Sequence, residues 1–315
     1  MTEPPSSVAE KLRDWSESRG YQVAWGPLRI LESARADLER RRETAELDSG
    51  FARENLSFDF PQPHSGSAAW CVLMLAMRRP AHIVSFIIGG RRFEAVFPPT
   101  YERYRPVFED TRQLLAAEVF PTSRVQLVDV PLKAVASRLG LVRYGKNNIT
   151  YAPSIGSYLQ LVGFVTDANL PIDPDWHEQP PSMLDECDDC AVCEAVCPTE
   201  AIGSERVLLH AERCLTLANE NAGAWPPWVA PAAHHSLVGC LRCQQSCPAN
   251  PELRFQDTGV VFDESETSSL LAGDEVAGPV FDRIRAKLDQ LGQPGLKGVL
   301  GRNLRALVGA GRQLR

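Results

Sequence analysis

Eight of the nine cysteines in this 315-residue chain fall between residues 187 and 247, and their spacing restricts the fold more than any other feature. The first half reads Cys187-x2-Cys190-x2-Cys193-x3-Cys197-Pro198, the spacing of bacterial ferredoxins, in which the fourth cysteine reaches over to a neighbouring cluster. The second half reads Cys240-x2-Cys243-x3-Cys247-Pro248 and lacks its first cysteine, because Leu237 stands three residues before Cys240. Cys214 is the stand-in. The expected ligand sets are Cys187, Cys190, Cys193 and Cys247 around one 4Fe-4S cluster, and Cys197, Cys214, Cys240 and Cys243 around the other.

The spacing has a physical reason. Two residues between cysteines let a tight loop wrap one face of a cubane and aim backbone N–H groups at its sulfides, while the three-residue gap and the proline turn the chain toward a second cubane. Structural zinc is the competing reading, since Cys-x2-Cys pairs also build closed tetrahedral sites. Zinc accounts for two pairs, but not for three cysteines at successive two-residue gaps, nor for the Cys-Pro that closes both halves. A disulfide framework belongs to small secreted domains, and the start Met1-Thr2-Glu3-Pro4-Pro5 has neither a basic nor an apolar leader segment.

With 44% apolar and 23% charged residues, the composition is that of a globular protein long enough for two domains. The longest apolar run, 68–77, is too short to cross a bilayer, so no membrane partner is expected. Free thiolates and the missing leader together imply a reduced cytoplasm. The net charge of −7 does not advertise nucleic-acid binding, yet it is unevenly spread: residues 283–315 carry eight Lys or Arg and the single acid Asp289. The ninth cysteine, Cys71, lies in the apolar stretch Trp70-Cys71-Val72-Leu73-Met74-Leu75 and reads as a buried strand residue.

Three domains are expected, with breaks around the prolines at 171–181: an α/β domain over 1–175, a double-cluster domain over 176–255, and a helical basic tail over 256–315. Helical spacing covers 7–19, 27–45, 111–119 and 132–139, the last stopped by Gly140. Strands are expected over 21–25, 69–76, 83–88 and 125–128, with a turn at Gly89-Gly90. The class is α+β. In the tail, Val280, Phe281, Ile284, Leu288 and Leu291 form one stripe, and Leu296, Val299, Leu300, Leu304, Leu307 and Val308 a second. Their basic residues lie off the stripes, either as a plain solvated face or as a platform for an anionic partner such as RNA.

The string Asp129-Val130-Pro131-Leu132-Lys133, then Gly140-Leu141-Val142-Arg143-Tyr144-Gly145-Lys146-Asn147-Asn148 and Gly156-Ser157-Tyr158, followed by the two cysteine halves, resembles the epoxyqueuosine reductase family and its relatives, the corrinoid-dependent reductive dehalogenases. The likeness is concentrated over about residues 120–250, with 97–101 as an upstream anchor. It implies an N-terminal nitroreductase-like α/β sandwich that cradles a cobalamin, next to a ferredoxin-like double 4Fe-4S domain. It also implies an electron donor protein of the ferredoxin or flavodoxin type, and tRNA as a partner through the basic tail. Gly140, Gly145, Lys146, Asn147, Asn148, Gly156 and Ser157 are the residues that the resemblance assigns to the cofactor. The bland reading of the same stretch is a helix stop followed by a turn into the strand 149–151.

One departure bears on activity. Where the family has an Asp-Tyr-His stretch, whose acid is thought to donate a proton, this chain has Arg103-Tyr104-Arg105. Positive charge beside a phenol lowers its pKa, which makes Tyr104 the candidate proton donor; the alternative is that Tyr101 and Tyr104 only pack. Two functions follow: an iron-sulfur reductase acting on a tRNA base or a small electrophile, or an electron carrier that serves a partner enzyme. Asp185, Glu186, Asp188, Asp189 and Glu194 around the first half read as a docking face for a basic partner, or as ordinary solvated residues. The histidines show no metal-type spacing together, although His234-His235 stands just before the second half and is placed to orient that loop.

Overall fold

Strands β2 (Cys71–Arg78) and β8 (Leu159–Thr166) are buried along nearly their whole length, and a strand apolar on both faces is stable only inside a sheet covered on each side. They form the centre of a four-stranded antiparallel sheet of order β1-β2-β8-β5, with β1 at Tyr21–Pro27 and β5 at Val125–Leu127 on the edges. Alternation along β2 divides the core. Val72, Met74 and Ala76 meet α2 (Ile30–Glu43) and α5 (Leu132–Arg138), while Cys71, Leu73, Leu75 and Met77 meet α1 (Val8–Glu17) and a π turn over Leu115–Val119. The result is an α/β sandwich, with Cys71 buried in it as expected. The computed structural model describes residues 7–61, 70–98, 104–203, 208–250, 255–273, 278–293 and 297–310.

Local chemistry sets the element ends. Ser7 caps α1 reciprocally with Glu10: the Ser7 hydroxyl accepts the Glu10 N–H at 3.2 Å, and the Glu10 carboxylate accepts the Ser7 N–H at 2.7 Å. The short helix α3 (Ser49–Asn55) starts on Asp48, which accepts the Phe51 N–H, and α4 (Tyr104–Leu114) runs into the π turn. Where α5 crosses β8, a Cβ on Gly163 would stand 2.8 Å from Leu132 and 2.9 Å from Met74 and Val128, so only glycine lets the helix lie against the strand.

The chain divides into two compact units, Met1–Arg78 with Arg105–Cys190, and Arg79–Tyr104 with Ala191–Arg315. The sandwich, with the small hairpin of β6 (Arg143–Tyr144) and β7 (Thr150–Tyr151), makes up the first. The second holds a three-stranded sheet of order β4-β3-β9, formed by β3 (Ala81–Ile88), β4 (Arg91–Phe97) and β9 (Phe255–Phe262). This division departs from the expected breaks at 175 and 255. Strand β3 hydrogen-bonds in parallel to β9, which takes residues 79–104 out of the N-terminal region and into the C-terminal unit.

Nor is 256–315 a free helical tail. It opens with the unanticipated β9 and α9 (Glu264–Ala272), and its two apolar stripes, on α10 (Pro279–Gln290) and α11 (Lys297–Gly309), are spent covering the sheet. Ile284, Leu288, Leu291, Val299, Leu300, Leu304 and Leu307 share one core with Val84, Phe86, Phe93, Phe97 and Phe262. Each such fully buried side chain contributes about 1.5–3 kcal/mol. Leu296 of the second stripe lies outside the described residues.

The β3–β4 hairpin turns on Gly89-Gly90, both at positive φ, as a two-residue hairpin loop requires. Glu264, at the start of α9, ties this turn down by accepting the Gly90 N–H at 2.9 Å and the Gly89 N–H at 2.8 Å, and those two bonds hold its carboxyl below the usual carboxylate range. A depressed folded pKa means that the tether is fully present above the unfolded value of about 4.3 and is lost as pH falls through the lower folded value. Amide exchange at Gly89 and Gly90, corrected for intrinsic rates, is therefore expected to accelerate below about pH 4.3. Glu264→Ala removes that pH dependence. Equal protection at both pH extremes in the unsubstituted protein rules the tether out.

Candidate iron-sulfur site

The two cysteine halves fold alike. After Cys190 and after Cys240 the chain makes a single helical turn, α6 (Val192–Ala195) and α8 (Arg242–Gln245), entered through Ala191 at φ −121° and Leu241 at φ −106°. The hydrogen bonds repeat in step. Ala195 N–H reaches Ala191 O at 3.0 Å and Gln245 N–H reaches Leu241 O at 2.8 Å; Cys197 N–H reaches Glu194 O at 3.2 Å and Cys247 N–H reaches Gln244 O at 3.3 Å. Pro198 and Pro248 then stop each turn, because proline has no N–H to continue it. Glu200 and Asn250 close both motifs by donating to the carbonyls of Cys197 and Cys247.

The four thiols of the second expected set lie within the second unit. Burial pushes the Cys240 thiol up to about 12, with Cys214 and Cys197 adding to the effect, and burial also pushes the Cys243 thiol up, with Cys240, Cys214, Cys193 and Cys197 adding. Cys214 is raised as well, by burial first and then by Cys197 and Glu220, against hydrogen bonds from Thr216 that lower it. Buried thiolates crowded in this way are unfavourable unless a cationic core neutralises them, which iron supplies. All nine cysteines are free of disulfides. Among the described residues no three His, Cys, Asp or Glu side chains converge to hold a single ion. A cubane takes each thiolate on a different iron, so its ligands ring a cage instead of meeting at a point.

The reason for the missing first cysteine is now visible. Leu237 is 1% exposed, sits in the core under α11, and donates its N–H to Val96 O at 3.0 Å, so the position is committed to packing on β4. Cys214 instead precedes α7 (Leu215–Glu220), with its carbonyl accepting the Leu217 N–H at 3.0 Å. Cys197 Sγ accepts the Ala201 N–H at 3.2 Å.

The first expected set is divided between the units: Cys187 and Cys190 belong to the first, Cys193 and Cys247 to the second. Cys187 ends a 3-10 turn and Cys190 donates to its carbonyl at 3.3 Å. The segment leading into them is held by β6, through Tyr144 N–H to Ser182 O at 2.9 Å and Leu184 N–H to Tyr144 O at 2.8 Å. Arg143 pairs with Asp185, and Lys146 Nζ donates to Cys190 O at 2.7 Å.

The residues assigned to a corrinoid by resemblance are thus busy elsewhere. Gly140 is the left-handed residue that ends α5, with Leu141 N–H to Ala136 O and Gly140 N–H to Ser137 O both at 3.0 Å. Gly145 donates to Ile149 O at 2.7 Å, and a Cβ there would stand 2.6 Å from Tyr151. Asn147 is buried and donates to the Tyr151 hydroxyl at 2.9 Å, while Asn148 O accepts from Lys133 at 3.0 Å. Gly156 pairs with Ala152, and Ser157 is buried. The bland reading of this stretch, a helix stop and a turn into β7, describes its backbone.

Tyr104 opens α4, but its side chain lies outside the described residues, as do Tyr101 and Arg103. Asp185, Glu186, Asp188 and Asp189 are exposed around Cys187. The basic residues of the C-terminal helices are largely used inside their unit. Arg283 and Lys287 both meet Glu266, which is 0% exposed, and Arg285 pairs with Asp282. Arg302 donates to Ala218 O and Gly223 O, both at 2.7 Å, and Arg305 donates to Leu271 O at 2.8 Å; these are carbonyls at or just beyond the ends of α7 and α9, where cations are favourable. Arg312 and Arg315 lie outside the described residues.

Comparison with known proteins agrees with the cysteine pattern. A family described as a 4Fe-4S double cluster binding domain matches residues 186–250. Over 276 residues the chain is 27% identical to epoxyqueuosine reductase of Pseudomonas aeruginosa, covering 78% of this chain and 70% of that protein. It is 29% identical to that of Staphylococcus aureus over 228 residues, covering 68% and 57%, and 31% identical to that of Aliivibrio fischeri over 245 residues, covering 76% and 59%. For the second and third, the chain therefore spans less than two thirds of the relative's length. In fold it is similar to epoxyqueuosine reductase of Streptococcus thermophilus, with a TM-score of 0.67 at 20% identity over 96% of this chain and 82% of that one. An epoxyqueuosine reductase solved with an epoxyqueuosine-modified tRNA stem loop aligns with a TM-score of 0.61 at 18% identity, over 95% and 80%. The chain carries a match to a 4Fe-4S double cluster binding domain and, over most of its length, is similar to epoxyqueuosine reductases in sequence and fold.

Proposed function

We propose that this chain is a reductase that carries electrons through two 4Fe-4S clusters to an electrophilic substrate, and that epoxyqueuosine in tRNA is that substrate. Cys187, Cys190, Cys193 and Cys247 hold one cluster, and Cys197, Cys214, Cys240 and Cys243 the other. The single observation that supports this best is the duplicated Cys-Pro turn, with the same hydrogen bonds in both cysteine halves. The names of the relatives supply the substrate. Electrons enter from a ferredoxin or flavodoxin type donor, and the exposed acids around Cys187 are a docking face for a basic partner. Tyr104, between two arginines in sequence, is the proton donor in this reading. Among the described residues no helix is long and apolar enough to cross a membrane.

A cobalamin, by resemblance, is the group that would supply nucleophilic metal chemistry. In the Gly140–Asn148 stretch Lys146 donates to Cys190 O, Asn147 donates to the Tyr151 hydroxyl and Asn148 O accepts from Lys133, so these residues would offer it only their remaining polar atoms. That commitment favours a second reading, in which the chain is an electron carrier for a partner enzyme.

Anaerobic purification followed by iron, sulfide and cobalt assays separates these readings. About eight irons with acid-labile sulfide are expected. Base-off cobalamin uptake in an absorbance titration selects the corrinoid reductase, and eight irons with no cobalamin response select the carrier. Zinc without sulfide defeats both.

A further inference from the structure

The adjacent histidines before the second cysteine half occupy different surroundings. His234 is buried with its ring 4.0 Å from that of Trp225, over which the Arg302 guanidinium lies at 3.9 Å. His235, also buried, faces a cysteine: its Nε2 is 3.8 Å from Cys240 Sγ. Its other nitrogen, Nδ1, is 3.2 Å from Arg242 Nε and 2.9 Å from Ala233 O.

The protonation of this ring follows from its neighbours. Arg242 Nε carries a hydrogen it cannot lose, so it can only donate, and Nδ1 must present its lone pair to receive it. The proton of the neutral ring is then on Nε2, on the side of the sulfur. Ala233 O prefers the reverse on Nδ1 alone. A lone pair on Nε2 would face a cluster-bound thiolate, which is repulsive, so the tautomer that suits Arg242 also suits the sulfur. The arrangement in which both Arg242 and the sulfur are satisfied carries Nε2–H.

We propose that His235 is a positioning residue of the second cluster, donating its Nε2–H to the Cys240 thiolate and so raising that cluster's reduction potential above the value the cysteines alone would give. The inference rests on the reading above that Cys240 is a cluster ligand. A hydrogen bond to a ligand sulfur draws electron density from the cluster and stabilises its reduced, more negative form. The sulfur also has a second donor, the Arg242 backbone N–H. Arg242 therefore acts twice at this sulfur, once directly and once by fixing the tautomer of its neighbour.

The test is a redox titration of the anaerobically purified full chain, followed by electron paramagnetic resonance, in the unsubstituted protein and in His235→Phe, His235→Gln and Arg242→Gln. His235→Phe keeps the volume and removes the donor. One cluster midpoint is expected to move to lower potential while the other stays, at unchanged iron content. His235→Gln, which still offers an N–H, is expected to recover much of the shift, and Arg242→Gln to move the same midpoint in the same direction by less. If His235→Phe loses iron, His235→Leu, which also lacks the donor and leaves the charge of Arg242 in place, decides: a lowered midpoint supports the inference, and an unmoved one overturns it. Clusters present with both midpoints unmoved in His235→Phe overturn this inference alone. An unsubstituted protein with no iron-sulfur signal overturns the cluster reading and this inference with it.

Discussion

Cys214→Ser is expected to halve the iron content, from about eight to about four atoms per chain, and to remove one of two signals in the reduced spectrum. The argument rests on place. Leu237, where a regular second half would have its first cysteine, is buried against β4 and α11, so the second set can be closed only from elsewhere. Cys214 is the thiol that shares the buried surroundings of Cys197, Cys240 and Cys243. A serine oxygen is a poor substitute for a thiolate toward iron, and losing a direct ligand is expected to cost more than the roughly 10–100-fold that loss of an outer-shell partner costs. Reductive turnover should fall by more than that factor. Leu237→Cys should not rescue it, since a thiol there remains inside the apolar core. Full iron and two intact signals in Cys214→Ser would remove Cys214 from the site.

Gly301→Ala is expected to be the most destabilising single-methyl change among the glycines of the second unit. A Cβ at residue 301 would stand 2.2 Å from the Leu270 carbonyl oxygen, a rigid backbone atom at the end of α9. That oxygen also receives the Gly273 N–H and Arg305 Nη1, both at 3.3 Å, so it cannot retreat without breaking the end of α9. The helices must separate, and overpacking of this kind costs about 3 kcal/mol or more. For a unit of this size the midpoint of thermal unfolding should drop by several degrees. Gly298→Ala is the internal control: it lies in the same helix with nothing within 4 Å, so the better helix former should be neutral or stabilising by up to about 1 kcal/mol. Equal melting of the two variants would refute the close approach.

Much of this was legible in the chain because the signals were local. The cysteine spacing, the glycine stop after α5 and the Gly89-Gly90 turn each state their structure within a few residues. Strand β8 escaped notice because an uninterrupted apolar run broken by Gly163 has no period of two, and the reason for the glycine lies in Leu132, Met74 and Val128. Strand β9 escaped for the opposite cause: Gln256, Asp257, Thr258 and Gly259 are polar or small, and only Val260 and Phe262 are buried. Its partner is about 170 positions upstream, which no local pattern reveals. The two apolar stripes of the tail do lie on helices, α10 and α11, but Arg283 and Lys287 are set against Glu266, a residue outside the stripes. In the Gly140–Asn148 stretch the glycines and Asn147 satisfy a turn, and Lys146 holds a cysteine loop through a residue 44 positions away, which no local pattern shows.

The pairing of β3 with β9 has a consequence for how the protein is made. At ordinary translation speeds of about 5–20 residues per second, β3 leaves the ribosome roughly 10–30 seconds before β9 exists. During that interval the hairpin offers a bare, apolar edge, and the entire cysteine ribbon hangs between it and a strand not yet synthesised. Until β9 arrives that edge needs shielding from other nascent chains, so truncation of the chain before residue 255 should leave a product prone to aggregate.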